Sequence, residues 1–263
     1  MDKQLLTKGF YKTYLSLLDI QLDDAFKQVK EREWNAENFK FFTAVSVMSS
    51  SKIEGEQMEV DSYVKHKILN IAYLPNLTEK PNDLYEAYEF ARDNKLTLAN
   101  FLNAHTIATK HLLPQPQRGT VRTGNMLIMD HQTQRIQYQA AASAIVKAEF
   151  ENFWNELNEI LQTDLNINEV FYFAALIHLV FVKIHPFNDG NGRTGRLLEK
   201  WFLSQKLGEK AWYIGSEFYY YNNLKKYYNN LARMGLFYEE LEYENCLPFL
   251  LMLPQALIIN DAL

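Results

Sequence analysis

The chain has 263 residues, of which 48% are hydrophobic and 14% aromatic, enough for a sizeable core in one large domain or two small ones. A net charge of −5 argues against a nucleic-acid surface, which needs a basic patch, and the single cysteine, Cys246, excludes an internal disulfide and a cysteine zinc site. Because we find no signal-peptide pattern and no apolar run of the ~20 residues that a membrane span needs, we expect a cytoplasmic protein without membrane contact.

Helical periodicity of apolar residues dominates the sequence, which predicts an all-α fold. The helices predicted before the central motif are 1–35, 36–55, 57–70, 83–93, 97–113, 143–162 and 168–184. Gly55 is a natural end for the second of these helices, and Asn166 begins a capping pattern for the last. The two-proline segment 74–83 is the clearest loop, so we separate an N-terminal helical region, residues 1–80, from the core.

Gly119 to Tyr138 is the only convincing β region in the sequence. Two short runs, 126–129 and 135–138, flank the polar turn 130–133, which is the pattern of a β-hairpin. A lone hairpin is marginally stable unless it packs on helices, so we expect it to lie on the helical bundle.

The C-terminal part is predicted to be helical again. Ser216 can cap a helix that is rich in tyrosine, and residues 236–260 are apolar with interruptions at Pro248 and Pro254. We interpret residues 236–263 as a helical cover or as the surface of a homodimer. The core then spans residues 81–235.

One short motif, His185 to Arg196, concentrates the polar chemistry of the chain. His185 ends an almost wholly apolar helix, and Pro186 forces it out of the helical conformation, so its ring is free to point elsewhere. This makes His185 a candidate acid or base. His105 stands instead among apolar residues of a predicted helix, where we expect a satisfied, half-buried side chain.

The second half of the motif is predicted to bind phosphate. A glycine-rich turn opens a helix whose first N–H groups have no intrahelical partner and can therefore bind an anion. Arg193 and Arg196 share a face of this helix and suit a polyphosphate better than a single carboxylate, and Asp189 adds a hard oxygen ligand for Mg²⁺. Such a set is typical of nucleotidyl or phosphoryl transfer. The alternative, a capped turn between two core helices, explains the proline and the apolar residues but not this group of polar ones.

His185 to Arg196 resembles the signature of the Fic family, HPFx(D/E)GNGRxxR, at every fixed position. The resemblance, which covers about residues 36–235, implies a Fic-type helical bundle with one β-hairpin, called the flap. It also implies an enzyme that uses ATP and Mg²⁺ to move AMP to a hydroxyl group of a target protein.

The resemblance implies roles for individual residues. His185 takes the proton of the target hydroxyl, Asp189 binds Mg²⁺, and Asn191 with the loop N–H groups holds the α-phosphate. Arg193 takes the β-phosphate side and Arg196 the γ-phosphate. The nucleotide-binding residues implied are Gly190, Asn191, Gly192, Arg193, Thr194, Gly195, Arg196, Leu127 and Ile128 on the flap, and the pair Tyr227 and Tyr228 on the adenine side.

The segment Ser50 to Gly55 resembles the inhibitory (S/T)xxxE(G/N) motif of Fic proteins, in the subclass where it lies N-terminal to the core. Taken alone, the segment is a fraying helix end whose serines bond to the backbone. The resemblance implies that Glu54, with Ser50, reaches Arg196 and pairs a carboxylate with a guanidinium intended for phosphate. The predicted inhibitory helix spans about residues 36–55.

The flap is the expected docking site for the target. In the family, its edge pairs with an extended segment of the target protein, which here would lie along about residues 125–138. Gly119 to Arg122 resembles the family's Gly-x-(Tyr/Phe)-Arg lead-in with Val121 in place of the aromatic residue, while residues 139–142 replace a run that is usually rich in proline. The alternative is a structural hairpin without a partner.

Three other functions remain open at the level of sequence. The same residues could transfer phosphate, UMP or phosphocholine, or remove AMP with Glu54 helping to position water. The chain could be the toxin of a toxin–antitoxin pair, although an internal inhibitor makes a separate one unnecessary. It could also be a nucleotide-binding interaction module without catalysis, which the intact His185, Asp189 and arginines argue against.

Overall fold

A computed structural model describes residues 4–31, 35–129 and 136–258, without the side chains of residues 30 and 31. The α-helices are α1 (Tyr11–Leu17), α2 (Leu22–Glu31), α3 (Ala36–Ile53), α4 (Val60–Leu69), α5 (Pro75–Asp93), α6 (Leu98–Ala108), α7 (Val146–Gln162), α8 (Ile167–Ile184), α9 (Asn191–Leu207), α10 (Ser216–Asn222), α11 (Leu224–Ala232), α12 (Leu247–Leu250) and α13 (Met252–Gln255). The strands are β1 (Leu127–Met129) and β2 (Ile136–Gln139). The all-α prediction with one hairpin is confirmed.

Helix α8 forms the centre of the bundle. Its start carries a complete capping box between Asn166 and Glu169, as the sequence indicated, and nearly all of its side chains are buried. In the described part of the chain, α8 alone is long and apolar enough to cross a membrane, but 78% of it is buried inside the protein, which is also typical of a core helix. Helix α9 packs closely on α8 because a Cβ at Gly195 would lie 2.9 Å from Val182 Cγ1.

The N-terminal segment differs from the single helix predicted over residues 1–35. It forms α1 and α2, and the chain becomes extended between them at Leu18, where ψ is 116°. Before α1, the N–H groups of Leu5 and Leu6 donate to the Glu156 carboxylate of α7 at 3.0 and 2.6 Å. These tertiary bonds replace the intrahelical bonds that helical periodicity had predicted.

The loop predicted at residues 74–83 is wrong, because this segment is the first half of α5. Pro75 stands at the first helical turn, where the missing N–H has no intrahelical partner to lose. Pro81 lies inside the helix, on a buried face with Leu84 and Tyr88, so tertiary packing offsets its lost hydrogen bond. The boundary proposed after residue 80 falls within this helix, and the division into three regions stays a prediction.

Three predictions need smaller corrections. The helix predicted over 97–113 ends at Ala108. The tyrosine-rich helix is broken at Asn223 into α10 and α11, and Ser216 is its first helical residue rather than its cap. The segment expected to be helical over 236–260 forms two short 3₁₀ turns followed by α12 and α13 up to residue 258, so prolines and turns divide it more finely than its apolar pattern suggests.

The hairpin lies beside the C-terminus of α8. The residue pairs along its strands are Leu127 with Gln139, Ile128 with Tyr138 and Met129 with Ile136. The Tyr138 hydroxyl donates to the Lys183 carbonyl of α8 at 2.9 Å, and the Gln139 N–H donates to the Leu236 carbonyl at 2.7 Å. The predicted turn at residues 130–133 and Arg135 lie outside the described residues. Among the described residues, β1 pairs only with β2.

Candidate active site

His185 stands at the end of α8 in a left-handed conformation, with φ 55° and ψ 59°. Its Nδ1 lies 3.1 Å from the Val182 carbonyl oxygen, which can only accept, so the bond places a proton on Nδ1 and leaves the Nε2 lone pair free. Burial lowers the pKa of His185 to about 4, even though the C-terminus of a helix favours the imidazolium cation. The ring is therefore a neutral proton acceptor at physiological pH, as we expected.

His105 of α6 holds the loop that follows His185. Its Nε2 lies 3.0 Å from the Asp189 carbonyl oxygen and its Nδ1 accepts the Gly119 N–H at 2.8 Å, which fixes the tautomer. The ring also packs on Phe187 with centroids 3.7 Å apart, and burial lowers the pKa of His105 to about 4. The prediction of a satisfied histidine is confirmed, but the side chain is fully buried and joins the flap lead-in to the motif loop.

The turn before α9 prepares an anion site. Gly190, with φ 78°, caps the helix, and a Cβ there would lie 2.6 Å from Thr109 Cγ2, so glycine is required. The N–H groups of the first turn, which begins at Asn191, lack intrahelical acceptors. The exposed Asp189 carboxylate accepts the Gly190 N–H through Oδ1 at 2.6 Å.

Three motif residues that we expected at the nucleotide instead shape the protein. The Asn191 side chain accepts the Phe187 N–H at 2.9 Å and donates to the Phe187 carbonyl at 2.8 Å. Both polar atoms of its amide therefore already have partners in the loop. The Thr194 hydroxyl donates to the Gly190 carbonyl at 2.8 Å. Gly195 faces α8, where its missing side chain allows the two helices to approach.

Glu54 and Arg196 meet at the start of α9. Arg196 Nη2 donates to Glu54 Oε1 at 2.7 Å, and its Nε donates to the Ser50 hydroxyl at 2.8 Å, so both predicted inhibitory residues contact this arginine. A Cβ on Gly192 would collide with Glu54 Oε1, which places the carboxylate directly over the glycine. Burial opposes the charge of Glu54, but Arg196 and Arg193 outweigh it and hold the pKa of the carboxyl below its usual value.

A second carboxylate occupies the other arginine of the motif. Arg193 Nη2 donates to Glu56 Oε1 at 3.1 Å, and Lys80 of α5 donates to the same oxygen at 3.1 Å. Glu56 and Arg193 are both largely buried, with side-chain exposures of 14% and 5%. The segment after α3 thus supplies one carboxylate to each arginine of the motif.

The tyrosine pair is divided between two environments. Tyr227 is buried, and its hydroxyl accepts from Arg196 Nη1 at 3.3 Å and lies 3.1 Å from His178 Nε2, so its polar group is already bonded within the protein. Tyr228 is 38% exposed, and its hydroxyl donates to the Ile53 carbonyl at 3.0 Å. The contact of this pair with adenine stays a prediction.

The two flap residues predicted to contact the nucleotide lie on β1. Leu127 is 50% exposed and Ile128 is partly buried. Their contact with a nucleotide stays a prediction.

Arg122 ties the flap to the catalytic bend. Its Nε donates to the His185 carbonyl at 2.8 Å, and its other nitrogens donate to the Gly124 and Ala141 carbonyls at 2.6 and 2.5 Å. The guanidinium is buried, so these bonds satisfy a charge that would otherwise be costly. These bonds join the two ends of the hairpin to the residue that follows α8.

Sequence reasoning missed several of these residues. Glu56 stands just outside the inhibitory motif and was given no role. His178 precedes His185 by seven residues and so lies on the same face of α8, which is a signal that could have been read. Arg122 was identified only as part of the flap lead-in.

The candidate site offers one protein ligand for Mg²⁺, the Asp189 carboxylate. No group of three or more His, Cys, Asp or Glu side chains that could hold a metal ion occurs in residues 4–129 and 136–258 outside the short undescribed gap. Mg²⁺ commonly binds through one or two carboxylates and takes its other ligands from phosphates and water. Asp189, exposed at the mouth of the loop, suits that arrangement.

Together, the fold and the site define an α-helical protein with a neutral histidine beside an anion-binding helix start. The model of the Fic/DOC family matches residues 95–203, from just before α6 into α9. Protein adenylyltransferase Fic of Nematostella vectensis is 31% identical over 108 residues, which are 41% of this chain and 22% of that protein. The match therefore spans about a fifth of the length of that curated relative.

Solved structures of Fic proteins share the fold. A Fic family protein from Desulfovibrio desulfuricans superposes with a TM-score of 0.75 at 17% identity, over 97% of this chain and 73% of that one. A Fic-domain signaling protein from Bacteroides thetaiotaomicron gives 0.64 at 18% identity over 99% and 95% of the two chains. Fic-1 (residues 134–508) from C. elegans gives 0.64 at 15% identity over 97% and 72%. The matched part of the chain, residues 95–203, is therefore a Fic domain, and the chain as a whole shares the fold of these Fic proteins.

Proposed function

We propose that the protein transfers AMP from ATP to a hydroxyl group of a target protein. The observation that carries this proposal is the position of the Glu54 carboxylate, which fills an anion site formed by Gly192 and Arg196 one bend away from the neutral ring of His185. A site that already holds a carboxylate between an arginine and a helix start suits a phosphate equally well. The name of the Nematostella relative supports adenylyl transfer among the reactions such a site can carry out.

In the proposed reaction, the target oxygen attacks the α-phosphorus of ATP. The O–P bond forms, the bond from the α-phosphorus to the bridging oxygen breaks, and pyrophosphate leaves. His185 Nε2 accepts the hydroxyl proton. Arg193 holds the β-phosphate side and Arg196 the γ-phosphate, while the N–H groups of the α9 first turn neutralise charge at the α-phosphate. Mg²⁺ at Asp189 supplies further charge neutralisation when bound.

We also propose that Glu54 inhibits this reaction. Its carboxylate and the γ-phosphate would compete for the same guanidinium, so ATP can bind productively only when Glu54 leaves Arg196. A target segment that pairs with the free edge of β1 would present its hydroxyl next to His185, because Arg122 holds the hairpin against that residue.

The label position in a Glu54→Gly protein tests the reaction class. The variant is incubated with Mg²⁺ and ATP labelled at either the α- or the γ-phosphate, with and without His185→Ala. The proposal expects protein labelled from α-ATP, none from γ-ATP, and none after His185→Ala. Label from γ-ATP would mean phosphate transfer, and tight ATP binding without any label would mean a nucleotide-binding module.

A further inference from the structure

A buried chain of hydrogen bonds lies behind Arg196. Arg196 Nη1 donates to the Tyr227 hydroxyl at 3.3 Å, which lies 3.1 Å from His178 Nε2, and His178 Nδ1 lies 2.8 Å from Glu199 Oε2. Tyr220 also donates to that carboxylate oxygen, at 2.9 Å. Every residue in this series of hydrogen bonds has at most 2% of its surface exposed, so the polar groups depend on one another for hydrogen bonding inside the core.

The chemistry of each group sets the direction of these bonds. A carboxylate only accepts, so His178 Nδ1 carries the proton that goes to Glu199. His178 Nε2 then accepts from the Tyr227 hydroxyl, whose oxygen accepts from Arg196. All donors therefore point from the positive guanidinium toward the negative carboxylate. Burial raises the pKa of Tyr227 to about 12, which keeps the hydroxyl neutral.

The hydrogen-bond partners of Arg196 come from two parts of the fold. Ser50 and Glu54 bond it from the end of α3, which belongs to the proposed inhibitory segment. Among the described residues, Tyr227 of α11 is the only other residue that hydrogen-bonds to the Arg196 side chain. When a nucleotide displaces Glu54, the buried guanidinium loses its carboxylate, and its orientation then depends on Tyr227 together with Ser50, which is fully buried within α3.

We propose that Tyr227 and His178 are positioning residues that hold Arg196 for the terminal phosphate of the nucleotide. Glu199, three residues after Arg196 on α9, balances the buried charge through them. This inference rests on the proposed function, because it assigns the polyphosphate to Arg196. It gives the Tyr227 hydroxyl a role in nucleotide selectivity and not in adenine contact.

The test compares ATP and ADP binding in the Glu54→Gly background, where Arg196 has no internal carboxylate. Calorimetry measures the Kd of both Mg²⁺–nucleotides for this parent and for the parent with Tyr227→Phe. Loss of a hydrogen bond to a charged group predicts a rise of about tenfold in the Kd for ATP and little change for ADP, which lacks the γ-phosphate. His178→Gln leaves the tyrosine hydroxyl in place. It should also weaken the binding of ATP and not of ADP, but by less than Tyr227→Phe does.

Tyr172→Phe in the same background is the matched control. It removes another buried hydroxyl, one that donates to the Thr7 carbonyl at 2.7 Å where Tyr172 packs against α1, and should leave both affinities unchanged. The inference would be overturned if Tyr227→Phe and His178→Gln both weakened the binding of ATP and ADP equally, or changed neither affinity. If the parent transfers AMP and prefers ATP, and both Tyr227→Phe and His178→Gln keep that preference, only the positioning role of the buried chain is refuted. If the parent binds neither nucleotide, the proposed function is refuted and the positioning role with it. If Tyr227→Phe does not fold, His178→Gln carries the comparison.

Discussion

Glu54 Oε1 accepts a hydrogen bond from Arg196 Nη2 at 2.7 Å although the residues lie 142 positions apart. The same oxygen lies over Gly192, where any other residue would place a side chain. A carboxylate thus fills the space that a helix start and an arginine provide for an anion.

Glu54→Gln should weaken the contact while keeping its shape. The amide still accepts a hydrogen bond, but the buried Arg196 loses its opposite charge, so the free energy of unfolding should fall by about 1–3 kcal/mol. AMP transfer should rise, though by less than in Glu54→Gly. Urea unfolding and label incorporation measure the two effects. Glu59→Gln is the control, since its exposed pair with Lys52 should contribute less than about 1 kcal/mol. Equal effects in the two variants would contradict the prediction.

Glu56→Gln should free Arg193 for the β-phosphate side of ATP. The substitution removes the charge that Arg193 and Lys80 both contact at 3.1 Å, but the amide can still accept from Arg193, so we expect a modest fall in the Kd for Mg²⁺–ATP of about two- to fivefold. Calorimetry with native protein and with Glu54→Gly as parents checks whether the gain appears in both. A weaker affinity in both parents would show that Glu56 supports the nucleotide site instead of competing with it.

Gly192→Ala should separate inhibition from phosphate binding. The new methyl group would collide with Glu54 Oε1 and lie 3.3 Å from Arg196 Nη1, so it expels the carboxylate but fills the phosphate position as well. We therefore expect ATP binding at least ~10-fold weaker than in Glu54→Gly and no gain in transfer. Gly124→Ala is the control, because an added Cβ there meets no atom within 4 Å. Transfer as fast as in Glu54→Gly would place the phosphate elsewhere.

Stability should fall as the pH drops from about 6.5 to about 4. Burial lowers the pKa of His105 to about 4 in the folded protein, while an unfolded histidine keeps its ordinary value of about 6.5. In that window the unfolded chain binds more protons, so up to about 3 kcal/mol of stability, fully present above pH 6.5, is lost by pH 4. His185 contributes with the same sign, whereas Glu54, whose pKa is lowered, loses its contribution only below its ordinary range.

Urea unfolding at several pH values measures this dependence. The slope of stability against pH between 6.5 and 4 should be smaller in His105→Gln, whatever its absolute stability. An unchanged slope would mean that His105 titrates normally in the folded protein.

The sequence alone could predict the candidate site because the residues that define it are local. His185, the glycine turn and Arg196 lie within twelve residues, and the helix end at Gly55 follows from backbone conformation. The helix through Pro75 and Pro81 was missed because tertiary packing overrides local propensity. The contact of Glu56 with Arg193 joins residues 137 positions apart, and no periodicity encodes such a pair.

Two site residues were assigned too simply for a related reason. Asn191 and Tyr227 carry polar groups that could have faced a ligand, but the structure uses them to satisfy buried protein atoms. A polar residue in a motif can therefore build the site without touching the substrate. The partner of Asn191 lies only four residues away, but the partners of Tyr227 come from α8 and α9 and appear only once the chain is folded.

The most direct measurement is the rate of label transfer from α-labelled ATP by native protein and by Glu54→Gly, each at saturating Mg²⁺–ATP. If the carboxylate occupies the place of the terminal phosphate, the variant should label protein at least ~10-fold faster, and His185→Ala should abolish the gain. Equal rates in native protein and Glu54→Gly would contradict the account.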